Sequence, residues 1–371
     1  MHIQKISSTR KQINLSFSIL IFALPLLLPT TEVLPQIEVG IDHILKDVQV
    51  MNICRNGDEL WLATNGSGIY RYSYSTGSFT NYSTSNQKLQ NDFIYSIAVN
   101  DNYVWAGSID GLFIFDKQKN SWSKRKFSAG GQLGNWIRAI SYDPYEDVVW
   151  IGRFQFLTKY NIQNRAFTDF DLTKNKKEKT NNIKFICLDG DSLVWFGTEA
   201  GLHKYDKSKS LDDNTAITFF DNKLNNFYGE SDEVSISAVI FEQGNMWIGL
   251  DEFITSENPD YNLGGIFKFD LKNSWQKFST ATNLPGNGVY AMECTGKYIW
   301  AAIYEFNKID KEANGRGLAL INRMNSEVKI INDTRMPSTV FDLYFDKDYI
   351  WLGSSVGLFR IYLRNDLVPK F

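Results

Sequence analysis

The chain has 371 residues, of which 43% are hydrophobic, 15% aromatic and 22% charged, with a formal net charge of -3. This composition suits a packed globular protein and excludes a disordered one. The charge balance also lacks the basic excess of a nucleic-acid surface, and the run Lys174, Lys176, Lys177, Lys179 is diluted by Glu178 and reads as a solvated loop.

The N-terminus stands apart from the rest. Lys5, Arg10 and Lys11 precede an apolar run from Leu15 to Leu28, interrupted only by Ser16, Ser18 and Pro25. A basic start followed by an apolar stretch of this length describes a secretory signal peptide. Residues 1–36 are read as that signal peptide, or as an uncleaved anchor, with the mature chain starting between 30 and 37. The run is short of the roughly 20 apolar residues a spanning helix needs, and no cysteine lies near it to carry a lipid. The expected location is periplasmic or secreted.

Residues 37–371 read as one all-β domain. Its first element, Ile37 to Asp42, resembles a strand without a repeat of its own. Repeat 1 follows, with an apolar stretch Val50-Met51-Asn52-Ile53, an Asn-Gly-Asp turn at 56–58 and a strand Leu60-Trp61-Leu62. A third strand opens with Gly68 and ends in Tyr72, and an aromatic pair, Phe79 and Tyr82, marks a fourth. The same four elements recur around Trp105, Trp150, Trp195, Trp247, Trp300 and Trp351, at spacings of 44, 45, 45, 52, 53 and 51 residues. A fixed period of this size marks a repeat architecture. Four strands per unit, tight Asn/Asp/Gly turns and seven units predict a seven-bladed β-propeller of four-stranded antiparallel blades.

Two residues after each of these tryptophans stands a small residue: Ala63, Gly107, Gly152, Gly197, Gly249, Ala302 or Gly353. Its expected role is to let neighbouring sheets approach beside a bulky ring. The last repeat reaches only its third strand, Gly357 to Tyr362, so a strand borrowed from elsewhere must complete it. The N-terminal strand is the expected donor, with Leu367 to Phe371 the alternative. Closure in this way removes exposed sheet edges.

The string Trp-Φ-Gly-x-x-x-Gly-Leu-x-[Arg/Lys]-[Tyr/Phe]-Asp, preceded by a Val-x-x-Ile strand, resembles the two-component regulator propeller repeat. Trp195 to Asp206 and Trp105 to Asp116 match it best, and Trp351 to Ile361 is close. Repeat 3 departs, with Arg153-Phe154-Gln155-Phe156 in place of the Gly-containing turn, and repeats 5 and 6 carry long insertions. In that family such repeats form the periplasmic sensing part of hybrid sensor kinases, often ones that detect glycan fragments. The resemblance implies a stand-alone propeller with an extracytoplasmic binding role.

With strands A to D alternating in direction, the B–C loops and D–A connections share one face. The longest of these are the insertions Leu250 to Gly264 and Ile303 to Arg316 and the connection Asp221 to Glu233. They bring together Phe227, Tyr228, Asp251, Glu252, Phe253, Tyr261, Tyr304, Glu305 and Phe306. Exposed aromatics beside carboxylates would suit stacking on a sugar or gripping a partner loop. On the same face, the second position of each first strand varies: Met51, Tyr95, Arg138, Lys184, Ser237, Tyr290 and Phe341. This ring at the channel mouth is the second candidate site, with Trp136 and Arg153 of repeat 3 able to join it.

Catalysis has little support in the residues. Beyond His2, only His43 and His203 exist, and His203 occupies a slot held elsewhere by Tyr70, Phe113 and Phe267. No Ser–His–Asp set or zinc site can be assembled. Cys54, Cys187 and Cys294 belong to separate repeats, so neither a disulfide nor a metal site is expected. No cofactor is expected. The favoured reading is a binding module for an oligosaccharide or an envelope protein, with the membrane engaged only through an uncleaved N-terminal segment. The alternative is a propeller lyase or glycan-cleaving enzyme using carboxylates at the channel mouth.

Overall fold

A computed structural model describes residues 40–223, 226–229, 233–253 and 263–363. The segment 1–36 read as a signal peptide, Tyr261 and Leu367 to Phe371 lie outside these residues. The described chain forms seven four-stranded antiparallel sheets. Blade 1 runs Val50–Asn56, Glu59–Thr64, Ile69–Ser73 and Ser78–Tyr82, its strands A to D from the inside outward. The A strands of blades 2 to 7 are Ile94–Val99, Ile137–Asp143, Ile183–Asp189, Ile236–Glu242, Gly288–Thr295 and Val340–Asp346. Each A strand neighbours the A strand of the next blade, and that of blade 7 neighbours blade 1. The ring is therefore closed.

Closure uses the N-terminal strand. Gly40–Ile44, β1, pairs antiparallel with Gly357–Tyr362 in the register Gly40↔Tyr362 to Ile44↔Leu358. Asp42 accepts from Arg360 Nη2 at 2.6 Å, and His43 stacks on Phe359 at 4.0 Å.

The small residue after each tryptophan does what its size predicts. A Cβ built on Gly107 would come within 2.5 Å of Ile137 Cγ2, one on Gly152 within 2.5 Å of Ile183 Cγ2, and one on Gly249 within 2.7 Å of Val289 Cγ1. In each case the clash is with the residue just before the bulge of the next blade's A strand. The tryptophans themselves are at most 2% exposed. Burial of a ring of that size supplies roughly 4–6 kcal/mol of transfer free energy.

Ion pairs and hydrogen bonds stitch successive blades together at the far face. Lys207, directly after strand C of blade 4, reaches Asp143 of blade 3 at 2.8 Å, with side chains 3% and 0% exposed. Arg323 takes the same position in blade 6 and pairs with Glu242 of blade 5. Lys117 in blade 2 contacts Glu59 of blade 1 at 3.1 Å, and Tyr74 of blade 1 donates to Asp346 of blade 7 at 2.6 Å.

The insertion of blade 6 differs from the expected loop. Its strands Tyr298–Asn307 and Glu312–Asn322 pair almost to their tips, forming a long hairpin. Blade 5 likewise extends its B strand to Phe253, opposite Leu263. Aromatics there are more buried than expected: Phe227 is 0% and Tyr304 5% exposed, while Tyr228 is 54% exposed. The thiols of Cys54, Cys187 and Cys294 are free and half-buried.

Candidate functional site

Every A strand breaks register with its B strand at one place, between its first and third residues in six blades and its second and fourth in blade 6. The extra residue is Met51, Tyr95, Arg138, Lys184, Ser237, Tyr290 or Phe341, the variable ring read from the sequence. A bulge inserts one unpaired residue and re-aims its side chain. Seven equivalent bulges therefore present seven side chains of six kinds, all half-buried, at one mouth of the channel.

Two further slots flank each bulge. One is the residue two before it: Trp136, Asn182 and Ser235 in blades 3, 4 and 5. The other is the residue four after the tryptophan: Phe154, Glu199 and Asp251 in the same blades. Backbone hydrogen bonds join the two slots, from Phe154 N to Trp136 O at 2.8 Å, from Glu199 N to Asn182 O at 3.3 Å and from Asp251 N to Ser235 O at 2.9 Å.

The side chains of the three slots form a belt that crosses blade boundaries. Tyr95 lies 6.4 Å from the Trp136 ring, which stacks on Phe154 at 5.2 Å with an 8° tilt. The Arg138 guanidinium sits over both rings, 5.6 and 5.3 Å from their centroids. Its Nη1 reaches Glu199 Oε1 of blade 4 at 2.5 Å, and Asn182 Nδ2 donates to the other oxygen at 2.9 Å. Lys184 then spans to blade 5, contacting the Asp251 carboxylate and Ser235 Oγ, the latter at 3.2 Å. Tyr304 of blade 6 donates to Asp251 at 3.2 Å and packs against Tyr290 at 4.3 Å between ring centroids, tilted by 34°. Tyr290 meets Phe341 of blade 7 at 5.4 Å.

The electrostatics follow from burial and pairing. Burial, with the Arg138 charge alongside, pulls the Lys184 ammonium down to about 7, and Glu199 opposes the shift. Burial raises Glu199, but hydrogen bonds from Asn182 and Arg138 and the charges of Arg138 and Lys184 outweigh it and hold the carboxyl below its usual range. Burial pushes Tyr290 up to about 12 and Tyr304 well above the ordinary phenol range. Both cations are matched by a carboxylate. Two buried polar atoms in the belt have no partner among the described residues: Asn182 Oδ1 and Ser237 Oγ.

Of the residues read from the sequence, Tyr95, Trp136, Arg138, Lys184, Asp251, Tyr290, Tyr304 and Phe341 come together here. Tyr261 lies outside the described residues. Phe306 sits further out on the blade 6 hairpin, where its N–H donates to Glu252 at 2.7 Å. Arg153 does not join the ring. It is 0% exposed, pairs with Asp169 at 2.9 Å and donates to Gly134 O at 2.9 Å. It stands three residues after Trp150, the slot that Thr64, Ser108, Thr198 and Ser354 fill with buried hydroxyls bonded to a glycine carbonyl. That slot faces into the blade, whereas the next one faces the mouth.

Phe154, Asn182, Glu199 and Ser235 were missed in the sequence. The signal was present, since Asp251 and Tyr304 already marked the position four after the tryptophan. Also unforeseen is an open cleft of about 610 Å³ at the opposite mouth, lined by Cys54, Asn100, Asp101, Tyr142 and Asp147 among others. Neither histidine is at the bulge mouth. His43 belongs to the closing strand, and His203 is buried in blade 4 against Thr180 O at 2.7 Å, with burial pushing it down to about 4. Among the described residues, no three His, Cys, Asp or Glu side chains are grouped to hold a metal.

Comparison with known proteins follows the same lines. No family model matches the chain. Histidine kinase P4 of Formosa agariphila is 25% identical over 193 residues, 47% of this chain but only 14% of that protein. The extracellular domain of BT4673 from B. thetaiotaomicron, a hybrid two-component system, superposes with a TM-score of 0.63 at 17% identity over 88% of this chain and 40% of that one. Virginiamycin B lyase from Staphylococcus aureus gives the same TM-score at 13% identity, over 88% of this chain and all of the lyase. The chain thus spans a small part of the curated relative and less than half of the BT4673 domain. At these identities the likenesses are of fold, and the chain is a seven-bladed propeller similar to the extracellular domains of two-component systems, as its repeat resemblance implied.

Proposed function

We propose that the protein is an exported binding module that holds a compact polyhydroxylated ligand, such as an oligosaccharide end, at the bulge-lined mouth. The observation that carries this reading is the recurrence of one register break in all seven blades, which gathers aromatic faces and polar groups around one opening. Aromatic rings offer stacking surface, and the few convergent polar groups offer orientation, the usual make-up of a small-molecule site. Glu199 and Asp251 are each held by a cation, which favours gripping a ligand over moving protons. Export is supported by the basic-apolar segment 1–36 and by the extracellular origin of the BT4673 domain.

The test is a thermal-shift screen of the full chain against neutral and acidic oligosaccharides, since a ligand bound only by the native state raises apparent stability. A shift that is lost in Phe341→Ala and Met51→Trp but kept in Tyr145→Ala, at the far face, supports the reading. A shift indifferent to the first two variants overturns it.

An envelope protein is the second reading, favoured by exposed Phe93, Ile109, Leu133 and Val356 on loops of the same face, 42–46% exposed. Screens silent for every saccharide, with protein capture lost in Phe93→Ser and Leu133→Ser, would select it.

A further inference from the structure

We propose that Arg138 is an oxyanion anchor, and that the ligand carries a carboxylate or sulfate group next to a hydroxyl. The inference rests on the reading of the bulge-lined mouth as a ligand site and names the chemistry that site selects. Arg138 is held before any ligand arrives. Its guanidinium lies over Trp136 and Phe154, which are themselves parallel, and Nη1 is tied to Glu199 at 2.5 Å. The Nε–Nη2 edge makes no hydrogen bond among the described residues, although the side chain is only 18% exposed. A guanidinium presents paired donors in a rigid plane that match a carboxylate or sulfate, and a fixed fork loses little entropy on binding. These donors are not sealed off from solvent, so an oxyanion can take them without displacing a protein partner.

The second observation is Asn182. Its Nδ2 donates to Glu199, so Arg138 and Asn182 flank a single carboxylate, about one carboxylate width apart. Its Oδ1 is buried and has no partner among the described residues, and the residue is 6% exposed. The free donor edge is the complement of an oxyanion, and an unpartnered amide acceptor held by the same carboxylate is the complement of a hydroxyl. Trp136, Phe154 and Tyr95 are half-buried aromatic neighbours for the body of the same ligand. Glu199, held on the Nη1 side, places a like charge near any oxyanion bound on the free edge.

Isothermal titration of the full chain with glucuronate, glucose 6-sulfate and glucose, at matched ionic strength, tests this. Saturable binding of one or both anions, at least roughly tenfold tighter than glucose, is expected, the scale of one charge-assisted hydrogen bond. The two anions separate carboxylate from sulfate as the preferred group. Arg138→Lys keeps the charge but loses the fork, and should weaken the preferred anion by roughly tenfold or more. Glu199→Gln removes that like charge and should tighten it, a change that misfolding does not produce. Equal binding of glucose and both anions, or Arg138→Gln with unchanged anion affinity, overturns the anchor while leaving a saccharide site standing. Loss of every saccharide interaction in the unaltered chain overturns both.

Discussion

Arg138 and Glu199 lie 61 residues apart in sequence and meet at 2.5 Å across the boundary between blades 3 and 4. The pair is one instance of a rule. A bulge residue of one blade touches the flanking slots of the next, as Lys184 does with Asp251 and Ser235, and Tyr95 with Trp136. Because each contact joins two sheets, the belt also binds the blades it spans. A ligand that engages several of these side chains would act on blade-to-blade contacts, the boundaries that in repeat assemblies carry the nearest-neighbour energy.

Gly152→Ala tests the close approach of blades 3 and 4. The added methyl would lie 2.5 Å from Ile183 Cγ2, well inside contact distance, so either the side chain or the sheet must shift. Overpacking of this kind costs roughly 1–3 kcal/mol. Denaturant unfolding should show a loss in that range. Adding Ile183→Ala, which removes the offending methyl, should give a double variant less destabilised than the sum of the singles. Additive losses would show that the two residues do not compete for the same space.

The Asp143–Lys207 pair between blades 3 and 4 is almost fully enclosed, and Asp143 also accepts from the Trp150 indole at 3.3 Å. Removing one partner strands a buried charge, at a cost of roughly 3–5 kcal/mol. Asp143→Ala should therefore lower stability by about that amount. Combining it with Lys207→Met should recover much of the loss, because the stranded ammonium is gone. The readout is equilibrium unfolding of the four members of this cycle, and a double variant no better than Asp143→Ala alone would reject the argument.

Closure of the ring offers a contrast between packing and charge. Phe359 is 3% exposed and stacks on His43 of the N-terminal strand, whereas Arg360 and Asp42 form an ion pair with side chains 22% and 41% exposed. Phe359→Ala should cost roughly 3–5 kcal/mol, the range for deleting a buried phenyl group. Arg360→Ala should cost about 1 kcal/mol or less, as solvent-accessible pairs do. Unfolding curves in which Arg360→Ala is the more harmful would show that charge, not packing, holds the closing strand.

Much of this architecture was legible because it repeats. The tryptophans, the small residues two positions on and the unpaired strand before repeat 1 all recur in, or complete, a seven-fold pattern, so each repeat corroborates the others. The bulges were half legible. The variability of the second A-strand position was visible, but alternation of apolar and polar residues does not reveal a register break, since one extra residue leaves the flanking pattern interpretable either way. Glu199 and Asn182 stayed hidden for a different reason. Their role depends on a side chain reaching over from blade 3, and no local pattern encodes that. Arg153 misled because a long cation beside a turn suggests solvent, whereas its slot faces Phe127, 4.6 Å from the guanidinium, inside the blade.

Two carboxyl groups on the channel wall give a pH signature. Asp342 of blade 7 accepts from Ile53 N at 2.7 Å and from Asn52 Nδ2 at 2.7 Å, linking blade 7 to blade 1. Burial outweighs these bonds and raises the carboxyl to about 7, with Glu293 nearby adding to the rise. Burial likewise raises Glu293 above its ordinary value. A folded-state value above the unfolded one means that the native chain binds more protons between about pH 4 and 7. The stabilisation from Asp342 is then complete below about pH 4 and is lost as pH climbs through about 7. Across that window the unaltered chain should lose stability relative to Asp342→Asn, which has no proton to release. Denaturant midpoints for both proteins from pH 4.5 to 8 measure the difference. If the gap between them stays constant with pH, Asp342 is ionised throughout and its hydrogen bonds, not its burial, set its charge.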